Sequence, residues 1–180
     1  YSIKFYQYNF HIDPIVIPKT LKELVLSNCN DISSINTLPE SSVCVKLRWC
    51  GDTLKLFNIL PKNLKELELL ACHEFNESLD NLPPSLQILK IIYCTKFNQP
   101  INNLPKTLKE LTIQNCDIFK HSFDHLPSNL QLLKIYLNDP IISFEKLPPT
   151  LKLLSINSVN HSVDHLPSRL LSLSINSWSF

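Results

Sequence analysis

Residues 60–72 read Leu-Pro-Lys-Asn-Leu-Lys-Glu-Leu-Glu-Leu-Leu-Ala-Cys, and nearly the same pattern returns at 82–94 and 104–116. Within each copy the apolar residues fall three, six and eight positions after the proline: Leu64, Leu67, Leu69; Leu86, Leu89, Ile91; Leu108, Leu111, Ile113. A fourth copy supplies Leu130, Leu133 and Ile135. The plus-six/plus-eight alternation has the period of a strand with one buried face. A helical reading of Leu-Lys-Glu-Leu with proline at its first turn conflicts with that alternation and with the isoleucines that close it.

Outward from these copies, prolines preceded by Leu or Ile stand at Pro18, Pro39, Pro61, Pro83, Pro105, Pro127, Pro148 and Pro167, in steps of 21, 22, 22, 22, 22, 21 and 19 residues. The copy after Pro39 is degraded, with Ser42 where leucine is expected but Val45 and Leu47 in place. At plus eleven stand Cys29, Cys50, Cys72, Cys94 and Cys116, followed by Asn138, Val159 and Trp178. The unit L-x-x-L-x-[LI]-x-x-[CN] is the strand segment of a leucine-rich repeat, and its length is too short for repeats built from two helices. Trp178 is large for a slot that otherwise takes small residues, as expected of an atypical terminal repeat.

A second apolar set precedes each Leu-Pro by three: Ile35, Phe57, Leu79, Ile101, Phe123, Phe144 and Val163. Ile32, Phe75, Phe97, Phe119 and Ile141 follow the ladder position by three. The opening residues fit a half-copy, with Ile3 and Phe5 as strand residues and Tyr8 in the ladder slot. The expectation is one repeat domain over 1–180, of about eight and a half repeats: a leucine-rich-repeat-like solenoid with a parallel sheet on one face and little helix. Nine strands at ~4.8 Å spacing give a sheet roughly 40 Å across. The return segments of about ten residues are expected to be extended or turn-like. The chain opens on Tyr1 and holds no methionine, as expected of a fragment of a longer product lacking its N-terminus.

Phe97-Asn98-Gln99-Pro100-Ile101 and Phe75-Asn76-Glu77-Ser78-Leu79, set among these Leu-Pro units, resemble the FNIP repeat. That family is a relative of leucine-rich repeats found in social amoebae and in large DNA viruses that infect amoebae. The full F-N-x-P-I element stands at 97–101 and is partial elsewhere. The resemblance implies a recruitment module, often joined to an N-terminal F-box that docks on a ubiquitin-ligase adaptor; no F-box is visible in these residues. It also implies a virus–host setting if the source is viral.

Composition excludes several functions. Lys+Arg number 17 against 16 Asp+Glu, so no net field draws the chain to nucleic acid or an anionic membrane. No apolar run approaches the ~18 residues of a membrane span, and the single glycine rules out a glycine-rich phosphate loop. The cysteine spacings match no zinc pattern, so Cys29, Cys50, Cys72, Cys94 and Cys116 are expected to be buried, structural and unliganded. Stacked thiols without a secretion signal imply a reducing, cytoplasmic compartment, the host's if the protein is viral. Cys44, at plus five, is expected on the open face and to be the fastest thiol to label.

The strings His121-Ser122-Phe123-Asp124-His125 and His161-Ser162-Val163-Asp164-His165 invite a metal or relay reading. In the same columns, however, stand Glu77 and Asn81, or Gln99 and Asn103. The position between them holds Asn36, Asn58, Asp80, Asn102, Asp124, Glu145 and Asp164, which reads as turn chemistry with the side chain bonding nearby backbone N–H groups. No metal, cofactor or catalytic site is expected. Glu66, Glu68 and Glu110 are strand positions facing solvent, with no nucleophile or oxyanion-hole motif beside them.

What remains is the open face of the sheet, at plus five, seven, nine and ten. It carries Lys4, Lys46, Arg48, Lys90 and Lys134 interrupted by Glu23, Glu66, Glu68 and Glu110. Between them stand Tyr6, Trp49, Leu70, Ile88, Ile92, Tyr93, Leu132, Tyr136, Leu137 and Leu153. Contiguous exposed apolar and aromatic residues mark interfaces. The expected partner is therefore another protein, with a homodimer through this face or the chain ends as the alternative. The interleaved glutamates argue against nucleic acid.

Overall fold

A computed structural model describes residues 1–6, 17–29, 35, 37–51, 57–138, 146–157 and 165–176. Tyr8, Ile32, Asn36, Ile141, Phe144, Glu145, Val159, His161, Val163, Asp164 and Trp178 lie outside the described residues. Nine strands form one parallel sheet in chain order among those described. They are β1 (Ser2–Tyr6), β2 (Glu23–Ser27), β3 (Cys44–Arg48), β4 (Glu66–Leu70), β5 (Ile88–Ile92), β6 (Glu110–Gln114), β7 (Leu132–Tyr136), β8 (Leu153–Asn157) and β9 (Ser172–Asn176). From β2 onward every strand begins five residues after its proline and ends nine after it, as the period requires. Residues of equal offset pair across neighbouring strands, Glu66 with Ile88 and Ile88 with Glu110, so the repeat register is the sheet register.

A local turn starts each strand. The amide three residues after the proline donates to the proline carbonyl in every described copy, as Leu64 does to Pro61 at 3.0 Å and Leu86 to Pro83 at 3.0 Å. That turn drops the plus-three leucine into the core, where Leu21, Leu64, Leu86, Leu108, Leu130 and Leu151 have no exposed surface. Ser42, which takes this place after Pro39, is also fully buried, and its hydroxyl donates to the Leu21 carbonyl at 3.3 Å. The degraded copy keeps its fold because the buried hydroxyl is satisfied.

The core lies between the sheet and the return segments. Phe57, Phe75, Phe97 and Phe119 stack along the solenoid with ring centroids 5.2, 5.3 and 5.6 Å apart. The Phe75–Phe97 and Phe97–Phe119 pairs are near parallel, at 12° and 16°, as expected when one column position repeats at strand spacing. The asparagines after Phe75 and Phe97 bind the next repeat: Asn76 Oδ1 accepts from the Asn98 amide at 2.9 Å, and Asn98 Oδ1 from the Lys120 amide at 3.1 Å. The Phe-Asn pair is thus a stacking group followed by an inter-repeat clip.

A polar column two residues after the proline joins the repeats on the other side. Ser85 Oγ donates to the carbonyls of Lys62 and Leu64, Thr107 Oγ1 to Pro84 and Leu86, and Thr150 Oγ1 to Ser128 and Leu130, at 2.5–2.7 Å. Asn63 and Asn129 use their amides the same way, toward Glu40 at 3.3 Å and Lys106 at 2.9 Å.

The cysteine column behaves as expected: all five ladder cysteines are buried and unpaired. Each thiol from Cys50 onward reaches the plus-eight carbonyl of the preceding repeat and the plus-nine carbonyl of its own. For Cys50 these are Leu26 at 3.6 Å and Arg48 at 3.5 Å; for Cys116 they are Ile91 at 3.7 Å and Gln114 at 3.5 Å. A weak donor thus sits where strand carbonyls end. Burial pushes the Cys94 and Cys116 thiols up to about 12.

The ladder stops after Cys116, with one departure from expectation. Leu137, expected outside, is 3% exposed and fills the inward slot, while Asn138, expected inside, is exposed. The cause is Asn157, whose side chain holds Leu137 at both ends, accepting its amide at 2.8 Å and donating to its carbonyl at 2.6 Å. At the last strand, Leu173 and Ile175 occupy inward columns yet are 37% and 40% exposed.

Candidate protein-binding face

The outward columns converge on one side of the sheet. Lys46, Arg48, Leu70, Ile88, Lys90, Ile92, Leu132, Lys134, Tyr136 and Leu153 lie within strands at plus five, seven or nine, and Trp49 and Tyr93 follow β3 and β5 at plus ten. Trp49, Tyr93, Lys134 and Leu153 are exposed and the others half-buried. Three outward positions within the strands are closed over. Val25, Ser27 and Thr112 are at most 6% exposed, because short side chains stand between long ones on both neighbours: Lys4 and Lys46, Tyr6 and Arg48, Lys90 and Lys134.

The charges of the N-terminal half neutralise one another across strands. Lys46 Nζ lies 3.5 Å from Glu23 and 3.6 Å from Glu66, and Lys90 Nζ lies 3.5 Å from the same Glu66 oxygen. Arg48 donates through Nε and Nη2 to one Glu68 oxygen at 3.2 and 3.0 Å. A hydrogen bond from Ser2, with Lys46 nearby, holds Glu23 below the usual carboxylate range against the opposing effect of burial. The half from Leu70 to Leu153 is instead dominated by apolar and aromatic groups.

Cys44 is on this face but flanked by acids, 3.9 Å from Glu23 and 3.6 Å from Glu66. Burial first, then the Glu66 charge, pushes its thiol up to about 12. Burial and the flanking acids oppose formation of the thiolate, which is the nucleophile, while Cys44 stays the least buried of the six thiols.

Among the described residues, His121, His125 and His165 are not brought together as a site, and His161 lies outside them. His121 Nε2 bonds the Asn98 carbonyl at 3.1 Å and packs edge-on against Phe119, while His125 and His165 are exposed. No cluster of three potential metal ligands occurs among the described residues. The turn chemistry differs from expectation in its agent. The Asp124 and Asp80 amides donate to Ser122 and Ser78 hydroxyls two residues back, at 3.1 and 3.2 Å. The acids themselves reach the next repeat, Asp124 to Lys146 Nζ at 3.1 Å and Asp80 to Asn103 Nδ2 at 2.9 Å. Serine accepts the turn amide, and the carboxylate bridges to the next repeat.

Sequence reasoning also missed the backbone at plus ten. Asn28, Trp49, Ala71, Tyr93 and Asn115 all have φ between 51° and 57°, in the left-handed region. Each of these amides donates to the plus-nine carbonyl of the following strand, Trp49 to Leu70 and Tyr93 to Gln114 among them, so the turn extends the sheet by one bond. Asn28 and Asn115 are the residues that could have signalled this conformation.

A search of solved structures finds CroV588, described as a novel circular leucine-rich-repeat protein, at a TM-score of 0.63 and 26% identity. The fold is a leucine-rich-repeat solenoid. The match covers 97% of this chain and 30% of CroV588, so the solenoid spans under a third of that protein's length. No family model matches the chain. No curated protein matches it either. No helix among the described residues is long and apolar enough to cross a membrane.

Proposed function

We propose that the solenoid is a non-catalytic protein-interaction module that presents the open face of its sheet to another protein. Solenoids of stacked repeats offer extended binding surfaces of this kind. The observation that carries the reading is the apolar half of the face. Leu70, Ile88, Ile92 and Tyr93 at β4 and β5 and Leu132, Tyr136 and Leu153 at β7 and β8 form a strip crossed at β6 by Glu110, Thr112 and Gln114, and the charges beside its β4–β5 part are paired within the sheet. Such a strip is what an interface core requires, whereas a solvated face needs charge.

The experiment is affinity capture with wild-type protein and with Leu132→Glu/Leu153→Glu, two outward changes on adjacent paired strands. Wild type retains a partner that the variant loses; a variant that keeps the same partner removes the face from the proposal. Self-association through the same strip is the second reading, favoured by the adjacent Leu132 and Leu153. Light scattering decides it, since a dimer through this strip becomes a monomer in the same variant. The resemblance to FNIP repeats extends the proposal to substrate recruitment for an F-box-type ubiquitin ligase in the cytoplasm. That extension rests on the resemblance alone.

A further inference from the structure

Aromatic residues stand at the C-terminal ends of alternate strands. Tyr6 ends β1, Trp49 follows β3, Tyr93 follows β5 and Tyr136 ends β7. The strands between end without aromatics: Ser27-Asn28 at β2, Leu70-Ala71 at β4, Gln114-Asn115 at β6. Tyr6, Trp49 and Tyr93 are 70%, 52% and 51% exposed, while Ala71, between the latter two, is 8% exposed. The edge of the face is thus a row of rings separated by low ground.

Its period is set by the sheet. Two strand spacings are about 9.6 Å. A polyproline II chain rises about 3.1 Å per residue with three residues per turn, so it repeats every ~9.3 Å. Laid across the strands, such a chain meets one ring per turn, and over the three intervals from Tyr6 to Tyr136 the mismatch is only about 1 Å. Trp49 and Tyr93 lie one residue further along than Tyr6 and Tyr136, an offset of about 3.3 Å that a ring spans.

Two further observations narrow the occupant. The cations around Trp49 and Tyr93 are committed, Arg48 to Glu68, Lys46 to Glu23 and Glu66, Lys90 to Glu66, while Lys134 beside Tyr136 is exposed. A phosphate backbone would have to break these pairs, whereas an uncharged peptide leaves them intact. Trp49 and Tyr93 also hold left-handed backbone, φ 52° and 56°, where bulky side chains are disfavoured and where Asn28 and Asn115 fit in other repeats. Their rings therefore occupy positions that local backbone preference alone would not give them.

We infer that the edge formed by Tyr6, Trp49, Tyr93 and Tyr136 binds an uncharged proline-rich segment of a protein partner, held in polyproline II conformation across the strands. Aromatic-lined grooves take such segments because the ligand is already ordered before it binds. The inference rests on the proposed reading that the partner is a protein.

The test titrates the whole chain with decaproline, a rod about 28 Å long, and with a glycine–serine peptide of equal length, following tryptophan fluorescence and heat. Decaproline binds and the flexible peptide does not. Trp49→Asn and Tyr93→Asn each weaken binding by about tenfold or more, as loss of an aromatic anchor does. Both keep or raise Tm, since asparagine suits left-handed backbone. Equal binding of the two peptides, or undiminished binding by the asparagine variants, overturns the inference. So does binding of a linear glucose oligosaccharide in place of decaproline. If decaproline fails while protein capture still depends on Leu132 and Leu153, the face binds protein but not a proline-rich rod. If both fail, the interface reading itself falls.

Discussion

The buried thiol column makes the fold sensitive to alkali, by an amount that can be worked from its parts. An unfolded cysteine ionises near ~8.5. In the fold, burial pushes Cys94 and Cys116 up to about 12. Cys50 rises to about 11, where a bond with Cys29 that lowers it is outweighed by the bond with Cys72 and by burial. Because the folded values are raised, the unfolded chain loses these protons first. Their contribution is therefore complete below the unfolded value and drains away as pH climbs toward the folded ones. At pH ~10 an unfolded thiol is about 1.5 units past its midpoint while the folded thiol is still protonated, a cost of about 2 kcal/mol each. Cys50, Cys94 and Cys116 together cost about 6 kcal/mol, a large share of the ~5–15 kcal/mol that holds a domain together. Urea unfolding under reducing conditions, followed by circular dichroism at half-unit steps of pH, reads this directly. Above pH ~9 stability should fall by about 4 kcal/mol per unit from these three groups. Cys94→Ala/Cys116→Ala is less stable at neutral pH, but its slope should be shallower by about 3 kcal/mol per unit. Other alkaline titrations are common to both proteins and cancel in the difference. Equal slopes would refute the reasoning.

Four further outcomes follow from the same geometry. Phe97→Ala opens the phenylalanine stack between Phe75 and Phe119 and should cost about 3–5 kcal/mol in urea unfolding, with Phe97→Leu costing clearly less. Asn98→Ala removes the acceptor of the Lys120 amide and should cost about 1 kcal/mol, read as a lower urea midpoint at unchanged slope. Cys44 should label slowly with iodoacetamide in the native protein, and Glu66→Gln should speed it by about tenfold for each pH unit its ionisation midpoint falls. The Lys146 hydrogen bond holds Asp124 below the usual carboxylate range, so its contribution is present above that range and lost as pH falls through the lowered value. Asp124→Asn should therefore cost under about 1 kcal/mol at neutral pH and nothing in strong acid or high salt.

The strands were legible because burial imposes a period of two within a period of about 22, and leucine and isoleucine report it at nearly every described copy, with Val45 and Phe5 as the exceptions. The cysteine ladder was legible for the same reason: one small buried slot recurs at one offset. The left-handed turn at plus ten was not, because its usual signals are glycine and asparagine and the column holds Trp49, Ala71 and Tyr93 as well. The hydroxyl column of Ser41, Ser85, Thr107 and Thr150 was hidden by the adjacent leucine, although its spacing was there to read. Leu137 was misplaced because its orientation depends on Asn157, 20 residues away. The histidine strings drew attention through residue type, yet His121 serves a carbonyl and a ring, as a local structural group does. The face could be assembled from offsets, but its internal ion pairs depend on side-chain conformations that offsets do not encode.

The central claim is that the outward columns of the sheet meet another protein. Hydrogen exchange, measured on the chain alone and bound to the protein that it captures, tests it most directly. Binding through this face gives new protection at plus five to plus ten, over 88–93 and 132–137, with the return segment 95–103 unchanged. Protection confined to 95–103, with 88–93 and 132–137 unaltered, would contradict it.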